Sequence, residues 1–429
     1  MNISRRSFVL GGAATLAAAG IAPSLTGCAQ ASKSGLDYSK FETKGVKELN
    51  CGLNEVCTSK EATRLYNIQN RNGAELCVTN FGARIVSLLV PGKDGQLRDV
   101  VLGFDNLLDY ANFNENPKNY HGAVVGRYAN RIKDGKWSYN GKSYQFTQNE
   151  NGNTLHGGKF GFHVHTFDVF DYDPSRSISL ILQSDSEDEG FPGRSTLEVT
   201  YTLNENNTLG ICYSMKNTMP CPINVSNHTY WCLSGDPSHP ITEDNLTIYS
   251  KATTPVDSEL IPTGEIRATQ TGGVFDFFGA KGEGKLVGKD VNAADEQLKF
   301  GKGYDHNFVL MSKAEAKAAG VEEDPVFEIT DDGSDQLQDQ ARLAAKVYCP
   351  DSGISMTITT TEPGLQFFDC HDMNGSTVGK KNKAFEKYAA FVLEPQHFPD
   401  SPNHPNFPNT ILGPLEVYRS KSEYKFSVE

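Results

Sequence analysis

Four groups of residues combine side chains that could bind a small polar molecule and move its protons. They are residues 126–132, residues 154–158, residues 224–231, and the paired segments 304–308 and 393–396. Each group sets Asn, Asp, His, Arg or Glu beside aromatic or apolar residues. Taken singly, each has an ordinary structural explanation, because most histidines beside aromatic residues are core or rim side chains. Glu394 could bond backbone at a strand end, and Arg127 and Arg131 could form surface ion pairs of small value.

Together these groups supply what the recognition of a free sugar requires. A hexose carries hydroxyls around its edge and an apolar carbon face, so its site needs polar side chains together with aromatic ones. Exchange of the anomeric configuration needs a base for the anomeric hydroxyl and an acid for the ring oxygen. A histidine and a glutamate suit these two tasks. No nucleophile, metal or organic cofactor is needed.

In this order the groups resemble the aldose 1-epimerases (galactose mutarotases), from about residue 60 to the C-terminus. Residues 126–132 read Gly-Arg-Tyr-Ala-Asn-Arg-Ile, similar to the family's sugar-binding Gly-Arg-x-Ala-Asn-Arg-Ile. Leu-His-Gly-Gly at 155–158 and Asn-x-x-Asn-His-x-Tyr at 224–230 match two further segments. Asp-His-Asn-Phe at 305–308, Gly-Leu-Gln-Phe at 364–367 and Glu394 complete the set.

The resemblance implies a function, a fold and the roles of eight residues. The function is interconversion of the α and β anomers of a free hexose such as galactose or glucose, without a cofactor. The fold is a large antiparallel β-sandwich. His228 would be the general acid and Glu394 the general base. The implied sugar-binding residues are Asn130, Arg131, His156, Tyr230, Asp305 and Gln366.

Strand patterns dominate the body of the chain, which agrees with an all-β fold. Apolar residues alternate through 197–203 and again through 209–215, which predicts a hairpin. Asn140-Gly141 separates two short aromatic runs and is a strong hairpin signal. Another turn at 351–353 separates the alternating runs 347–349 and 354–358. We predict one large domain, residues 46–429.

Two features in the body of the chain depart from the family's pattern. Glu362 stands in Thr-Thr-Glu-Pro-Gly, where the family commonly has glutamine. Residues 311–342 are polar and acidic and are predicted to form a surface insertion that could shape the mouth of the site. Within them, Ser312, Glu315 and Gly320 predict a short capped helix.

Net charge excludes some partners. The chain carries a formal charge of −13. A nucleic-acid-binding protein needs a basic surface to displace phosphate counterions, so we expect no nucleic-acid partner. The same charge argues against direct binding to anionic lipid.

The N-terminus is predicted to be an export signal over residues 1–27. Arg5-Arg6 precede a short apolar run, which resembles a twin-arginine signal. Leu-Thr-Gly-Cys at 25–28 resembles a bacterial lipobox, in which Cys28 becomes lipidated, although an ordinary signal with a chance cysteine would read alike. Residues 28–45 would then be a flexible tether. The protein would be exported and would contact a membrane only through its lipid anchor.

The other eight cysteines leave their pairing open. Export favours disulfides, whereas folding in the cytosol before export opposes them. Cys51 and Cys57 are close enough in sequence to pair across a small loop. The chain has no Cys-x-x-Cys, which argues against a structural zinc site. His163 and His165, predicted to share one face of a strand, lack an obvious third metal ligand.

Two other functions stay open on sequence alone. A glycoside hydrolase would use a pair of carboxylates, for which Glu394 and Asp305 are candidates. A non-catalytic sugar-binding lipoprotein would use the same hydroxyl contacts but would have no need of the pair His228 and Glu394. Activity on a chromogenic glycoside would favour the first alternative.

Overall fold

Antiparallel strands account for most of the regular structure in the described part of the chain. The computed structural model describes residues 32–43, 62–112, 119–330 and 335–429. The predicted signal 1–27 and residues Cys28, Cys51 and Cys57 lie outside the described residues. Residues Lys33–Glu429 form one unit. No helix among the described residues is long and apolar enough to cross a membrane.

The strands follow one another along the chain with short connections. They are β1 (Leu65–Gln69), β2 (Glu75–Thr79), β3 (Arg84–Pro91), β4 (Leu97–Asp99), β5 (Ala123–Val125), β6 (Arg131–Ile132), β7 (Lys136–Tyr139), β8 (Lys142–Gln145), β9 (Thr154–Leu155), β10 (Asp168–Asp173), β11 (Ser177–Ser184), β12 (Ser195–Leu203), β13 (Thr208–Asn217), β14 (Cys221–Pro222), β15 (Ser226–His228), β16 (Tyr230–Trp231), β17 (Asn245–Ile248), β18 (Ser250–Thr253), β19 (Arg267–Ala268), β20 (Lys285–Leu286), β21 (Asp305–Leu310), β22 (Arg342–Cys349), β23 (Ile354–Thr360), β24 (Gly364–Phe368), β25 (Phe391–Gln396), β26 (Ile411–Leu412) and β27 (Tyr418–Val428). Three short helices are α1 (Leu107–Ala111), α2 (Glu296–Gly301) and α3 (Lys313–Ala318).

Two large sheets organise the body. One has nine strands in the order β10-β11-β12-β13-β27-β23-β22-β17-β20, and the other has six in the order β16-β25-β24-β21-β18-β19. A four-stranded sheet, β1 to β4, and four two-stranded ladders complete the described strands. Neighbouring strands in both large sheets pair antiparallel, which confirms the all-β, antiparallel prediction.

Alternation along the six-stranded sheet separates a core face from a polar face. Leu365, Phe367 and Leu393 belong to the main hydrophobic core, which also contains inward residues of the nine-stranded sheet. Successive strand side chains point to opposite faces, so Gln366 and Glu394 project away from that core. The sheet therefore offers one polar face on which a site can be built.

The predicted local hairpins are confirmed. Strands β12 and β13 pair from Ser195↔Asn217 to Leu203↔Leu209. Strands β7 and β8 pair around Asn140-Gly141, and β22 pairs with β23. Helix α3 is capped by Ser312 and Glu315 in the predicted reciprocal arrangement.

Two predictions differ from the structure. Phe162–Val164 forms a 3-10 turn, not a strand, because the N–H groups of Val164 and His165 return to the carbonyls of Gly161 and Phe162. His163 and His165 accordingly do not share the face of a strand, and neither belongs to a group of three potential metal ligands among the described residues.

The second difference concerns the predicted tether. Residues 32–43 lie within the predicted tether, but Leu36 and Phe41 are buried. The backbone N–H of Ser34 donates to Glu75, so this part of the chain is anchored to the body. In the described part of 311–342, which is predicted to be a surface insertion, Phe327 and Leu337 are buried in a small apolar cluster of the segment's own residues.

Candidate active site

A cleft of about 400 Å³ opens beside the polar face of the six-stranded sheet. Its volume falls in the range of small-molecule sites. Seven of the eight predicted site residues line it, namely Asn130, Arg131, His156, His228, Tyr230, Asp305 and Glu394. No described residue of 311–342 lines this cleft, so the expectation that this segment shapes its mouth is wrong for the described part.

Strand register sets Asp305, Gln366 and Glu394 side by side. Gln366 of β24 lies directly opposite Glu394 of β25, and the pairing of β21 with β24 brings Asp305 to the adjacent position. The Gln366 side-chain amide donates to the Asp305 carboxylate at 2.6 Å. Gln366, the eighth predicted residue, thus orients the Asp305 carboxylate through this hydrogen bond.

Asn130 and His156 are joined by two hydrogen bonds. Asn130 directly precedes β6, and His156 directly follows β9. The N–H of Asn130 donates to Nδ1 of His156 at 3.1 Å. The N–H of His156 donates to the carbonyl of Asn130 at 3.0 Å. Both residues adopt positive φ, 64° and 51°, which non-glycine residues rarely do. Such backbone conformations persist where surrounding structure fixes them, often at functional sites.

Aromatic rings form one wall of the cleft around His228. The His228 ring lies 5.0 Å from that of Tyr230 and 5.5 Å from that of Tyr120, centre to centre. The ring of His156 meets His228 edge-on at 5.1 Å. His228 ends β15, whose partner β5 contributes Ala123 opposite it. This wall gives the cleft an apolar surface next to its polar groups.

Arg131 connects the carboxylates of the cleft. Its Nε lies 2.6 Å from the Glu150 carboxylate, and its Nη1 lies 3.7 Å from that of Asp305. Burial would lower the pKa of Arg131, but Asp305 and Glu150 raise it, and the net shift is upward. The guanidinium therefore stays charged and compensates its acidic neighbours.

His228 and Glu394 have opposite pKa shifts with a common principal cause. Burial lowers the pKa of His228 to about 4 and raises that of Glu394 to about 8, since it disfavours the charged form of each. The charge of Asp305 raises the pKa of Glu394 further and partly offsets the lowering of that of His228, whereas Arg131 lowers the pKa of Glu394. His228 is thus neutral and Glu394 protonated at neutral pH, so the pair holds one proton.

Two atoms in this pair are ready for a ligand. Nδ1 of His228 and Oε1 of Glu394 are buried and have no hydrogen-bond partner among the described residues. One ligating atom each from His156, His228 and Glu394 lie within 4.8 Å of one another. These three side chains could also hold a metal ion, but proton transfer between sugar oxygens needs none.

Sequence reasoning missed several residues that line the cleft. Glu150, the partner of Arg131, lies in a polar loop with no chemical pattern of its own. His371 also faces the cleft, and its Nδ1 lies 2.6 Å from the Asp369 carboxylate. Burial would lower the pKa of His371, but this hydrogen bond and the charge of Asp369 raise it. The nearness of Asp369 and His371 to Gln366 in the sequence was the signal that could have indicated their place beside the cleft.

The departure at Glu362 is accommodated outside the cleft. Its buried carboxylate lies 2.6 Å from Nδ1 of His397 and accepts a hydrogen bond from Tyr418 at 2.9 Å. Burial opposes ionisation, but His397 and these hydrogen bonds hold the pKa of Glu362 below its usual value. The hydrogen bond and charge of His397 therefore stabilise an ionised glutamate at this buried position.

A cleft on an antiparallel β-sandwich that combines a buried histidine and glutamate with further polar side chains and an aromatic wall suits an enzyme that acts on a carbohydrate. Comparison with known proteins makes this class specific. The family model described as aldose 1-epimerase matches residues 64–425. The chain belongs to the aldose 1-epimerase family, whose members are isomerases.

The similarity to known relatives covers nearly their whole length. The chain is 31% identical to an aldose 1-epimerase of Escherichia coli (strain K12) over 368 residues, 85% of this chain and 96% of that protein. It is 34% identical to a galactose mutarotase of Bos taurus, covering 82% and 90% of the two chains. A crystal structure of an aldose epimerase homologue from C. elegans superposes with a TM-score of 0.70 at 29% identity, covering 86% and 99%.

Proposed function

We propose that this protein interconverts the α and β anomers of a free aldohexose such as galactose or glucose. His228 serves as general acid and Glu394 as general base. Asn130, Arg131, His156, Tyr230, Asp305 and Gln366 bind or orient the sugar hydroxyls. Membership of the aldose 1-epimerase family supports the reaction, and the cleft geometry supports these roles.

The unpartnered atoms of His228 and Glu394 carry this proposal. The anomeric oxygen and the ring oxygen of a pyranose are both bonded to C1, so an acid and a base acting on them must lie close together. A separation of up to 4.8 Å between the two side chains lets each reach one of these oxygens.

The reaction then balances within the pair. Ionised Glu394 takes the proton of the anomeric hydroxyl, the bond between C1 and the ring oxygen breaks, and protonated His228 gives its proton to that oxygen. The aldehyde group turns about the C1–C2 bond. His228 takes the hydroxyl proton back while this oxygen attacks the other face of C1, and Glu394 reprotonates the anomeric oxygen. Both side chains return to their starting states.

The pKa shifts assign a resting form to this cycle. With the pKa of Glu394 raised to about 8 and that of His228 lowered to about 4, the shared proton rests on Glu394. That form is the one required for ring closure, whereas ring opening uses the form with the proton on His228. Both forms carry the same total charge, so the protein need not exchange protons with solvent between the two half-reactions.

Polarimetry of freshly dissolved α-D-glucose and α-D-galactose tests the reaction. The protein should accelerate the approach to anomeric equilibrium, and His228→Asn or Glu394→Gln should lower kcat by about a hundred- to ten-thousand-fold. Either variant should still bind sugar, since its hydroxyl contacts remain. Near wild-type rates in both variants would overturn the assignment. Release of the aglycone from a chromogenic glycoside would instead favour a hydrolase.

We also propose that the enzyme is exported and held at a membrane surface by acylation of Cys28. The supporting observations are Arg5-Arg6, the short apolar run and Leu-Thr-Gly-Cys at 25–28. The two or three acyl chains of a bacterial lipoprotein anchor firmly, whereas one chain anchors only marginally. There the enzyme would equilibrate sugars that hydrolases outside the cytosol release as a single anomer.

Cell fractionation tests the anchor. Wild type should sediment with membranes, and Cys28→Ala should become soluble or stay unprocessed. Equal solubility of both proteins in the cytosol would exclude the lipoprotein assignment and leave the proposed reaction untouched.

A further inference from the structure

A second group of potential ligand residues lies at one end of the nine-stranded sheet. A ring nitrogen of His239, a carboxylate oxygen of Asp244 and the sulfur of Cys349 lie within 4.8 Å of one another. None of these residues lines the sugar cleft. Anomer exchange as derived above makes no use of them.

Strand pairing brings two of the three together. The register of β17 and β22 sets Asn245 opposite Tyr348. Asp244, which precedes Asn245, therefore lies opposite Cys349, which follows Tyr348. Residues directly opposite each other in an antiparallel pair have close Cβ atoms. The 3-10 turn Ile241–Glu243 then folds His239 back toward them. The group thus joins the turn before β17 to the last residue of β22.

Burial leaves one atom each of Asp244 and His239 without a partner, while the Asp244 carboxylate and the Cys349 thiol hydrogen-bond each other. Asp244 and Cys349 are 1% and 0% exposed. Oδ1 of Asp244 and Nε2 of His239 are buried and have no hydrogen-bond partner among the described residues. No lysine or arginine in the described part of the chain forms an ion pair with Asp244. Burying a carboxylate costs free energy unless it is paired. A cation at the centre of this group would give a partner to both Oδ1 of Asp244 and Nε2 of His239.

The donor set indicates which cation. Imidazole nitrogen, carboxylate oxygen and thiolate sulfur are together the ligands of zinc, at about 2.0–2.3 Å. Tetrahedral geometry at those lengths separates ligand atoms by roughly 3.3–3.8 Å, so small side-chain rotations would close the group on an ion. The backbone and side chain of Ser352 hydrogen-bond the Cys349 sulfur, an outer contact typical of metal thiolates. A carboxylate oxygen of Glu243 lies 4.0 Å from Nε2 of His239, but Glu243 does not belong to the group.

We propose that His239, Asp244 and Cys349 bind one divalent transition-metal ion of the zinc class, which ties the turn before β17 to the end of β22. On binding, the Cys349 thiol loses its proton to solvent and its sulfur bonds to the ion. The side chain of His239 is 22% exposed and provides the path of entry. The site is structural and separate from the sugar cleft.

Titration of the full-length protein with Co²⁺ tests this site. One equivalent should bind with a thiolate-to-cobalt charge-transfer band, and Zn²⁺ should displace it. Zn²⁺ should also raise the melting temperature, since a ligand that binds only the folded state stabilises it. Cys349→Ser should abolish the band. His239→Gln, at a partly exposed position that leaves the fold intact, should weaken binding more than about ten-fold. Both variants should retain mutarotation activity.

Matched variants separate this site from other metal ligands. The group His156, His228 and Glu394 contains no sulfur, so Glu394→Gln should leave the charge-transfer band unchanged. Cys221→Ser, which removes a buried thiol elsewhere, should also leave it unchanged. Persistence of the band in Cys349→Ser, or loss of the bound equivalent only in Glu394→Gln, would overturn the proposal.

Discussion

At the scale of single residues, the proposed reaction depends on one proton shared between two buried groups. Below about pH 4 both His228 and Glu394 are protonated, and no base remains. Above about pH 8 neither carries a proton, and no acid remains. We therefore expect kcat/KM, corrected for spontaneous mutarotation, to be bell-shaped, with limbs near these values and a tenfold loss per pH unit beyond them. A limb at the ordinary pKa of histidine, about 6.5, would contradict these shifts.

Asp305 provides a separate test, because its charge raises the pKa of both His228 and Glu394. Replacing it by Asn should lower both pKa values, so both limbs of the profile should move to lower pH. Loss of a sugar hydrogen bond alone would reduce kcat/KM without moving either limb. Gln366→Ala is the matched control, since it removes a neutral partner and should lower activity more mildly at unchanged limb positions. Unmoved limbs in Asp305→Asn would show that its charge does not act on the pair.

At the scale of elements, the loop of His156 depends on a close backbone approach. A Cβ at Gly157 would lie 1.9 Å from the carbonyl oxygen of Gly126, at a φ of +85°. Gly157→Ala should therefore displace the segment that carries His156, raising KM and lowering the melting temperature. Gly152→Ala is a matched control, because its φ is +82° but nothing lies within 4 Å of the added Cβ. Equal effects of the two changes on KM would mean that backbone strain alone, not the contact with Gly126, is responsible.

Elements also determine what the sequence alone could predict. The hairpins β7–β8 and β12–β13 were predictable because alternation and turn residues are local signals. The pairing of β27 with both β13 and β23 was not, because the partners are far apart in sequence and their alternation fits many sheet orders. His163-Val164-His165 alternates as a strand would, yet local hydrogen bonds close it into a turn.

For the site as well, the residues in recognisable local segments could be predicted and the others could not. His228 and Glu394 were predictable because they stand in segments that resemble a known family. Glu150 and His371 belong to no such segment, so only the folded chain shows that they face the same cleft.

At the scale of the whole molecule, segment 311–342 is fastened by a buried ion pair on β27. Glu423 accepts from the backbone N–H groups of Glu328 and Ile329, and Lys421 lies 3.3 Å from its carboxylate. Lys421→Met would leave Glu423 buried without this charged partner and should reduce the free energy of unfolding by about 3–5 kcal/mol. Denaturant unfolding measures the change. Lys425→Met, which removes an exposed partner of Glu328, is the control and should cost about 0–1 kcal/mol. A similarly small loss in Lys421→Met would show that the charge of Lys421 does not help to hold the segment.

The register of β24 and β25 has a consequence for how this molecule can change over evolutionary time. Glu394 faces the cleft only because it alternates with Leu393, which faces the core. Deletion of a single residue within β25 would exchange the two, turning the carboxylate into the apolar core and the leucine toward the cleft, because strand side chains repeat every second residue. Point substitutions act on one side chain at a time, whereas such a deletion would reverse the whole strand. We therefore expect changes of length to be tolerated in the connections between strands and not within β25.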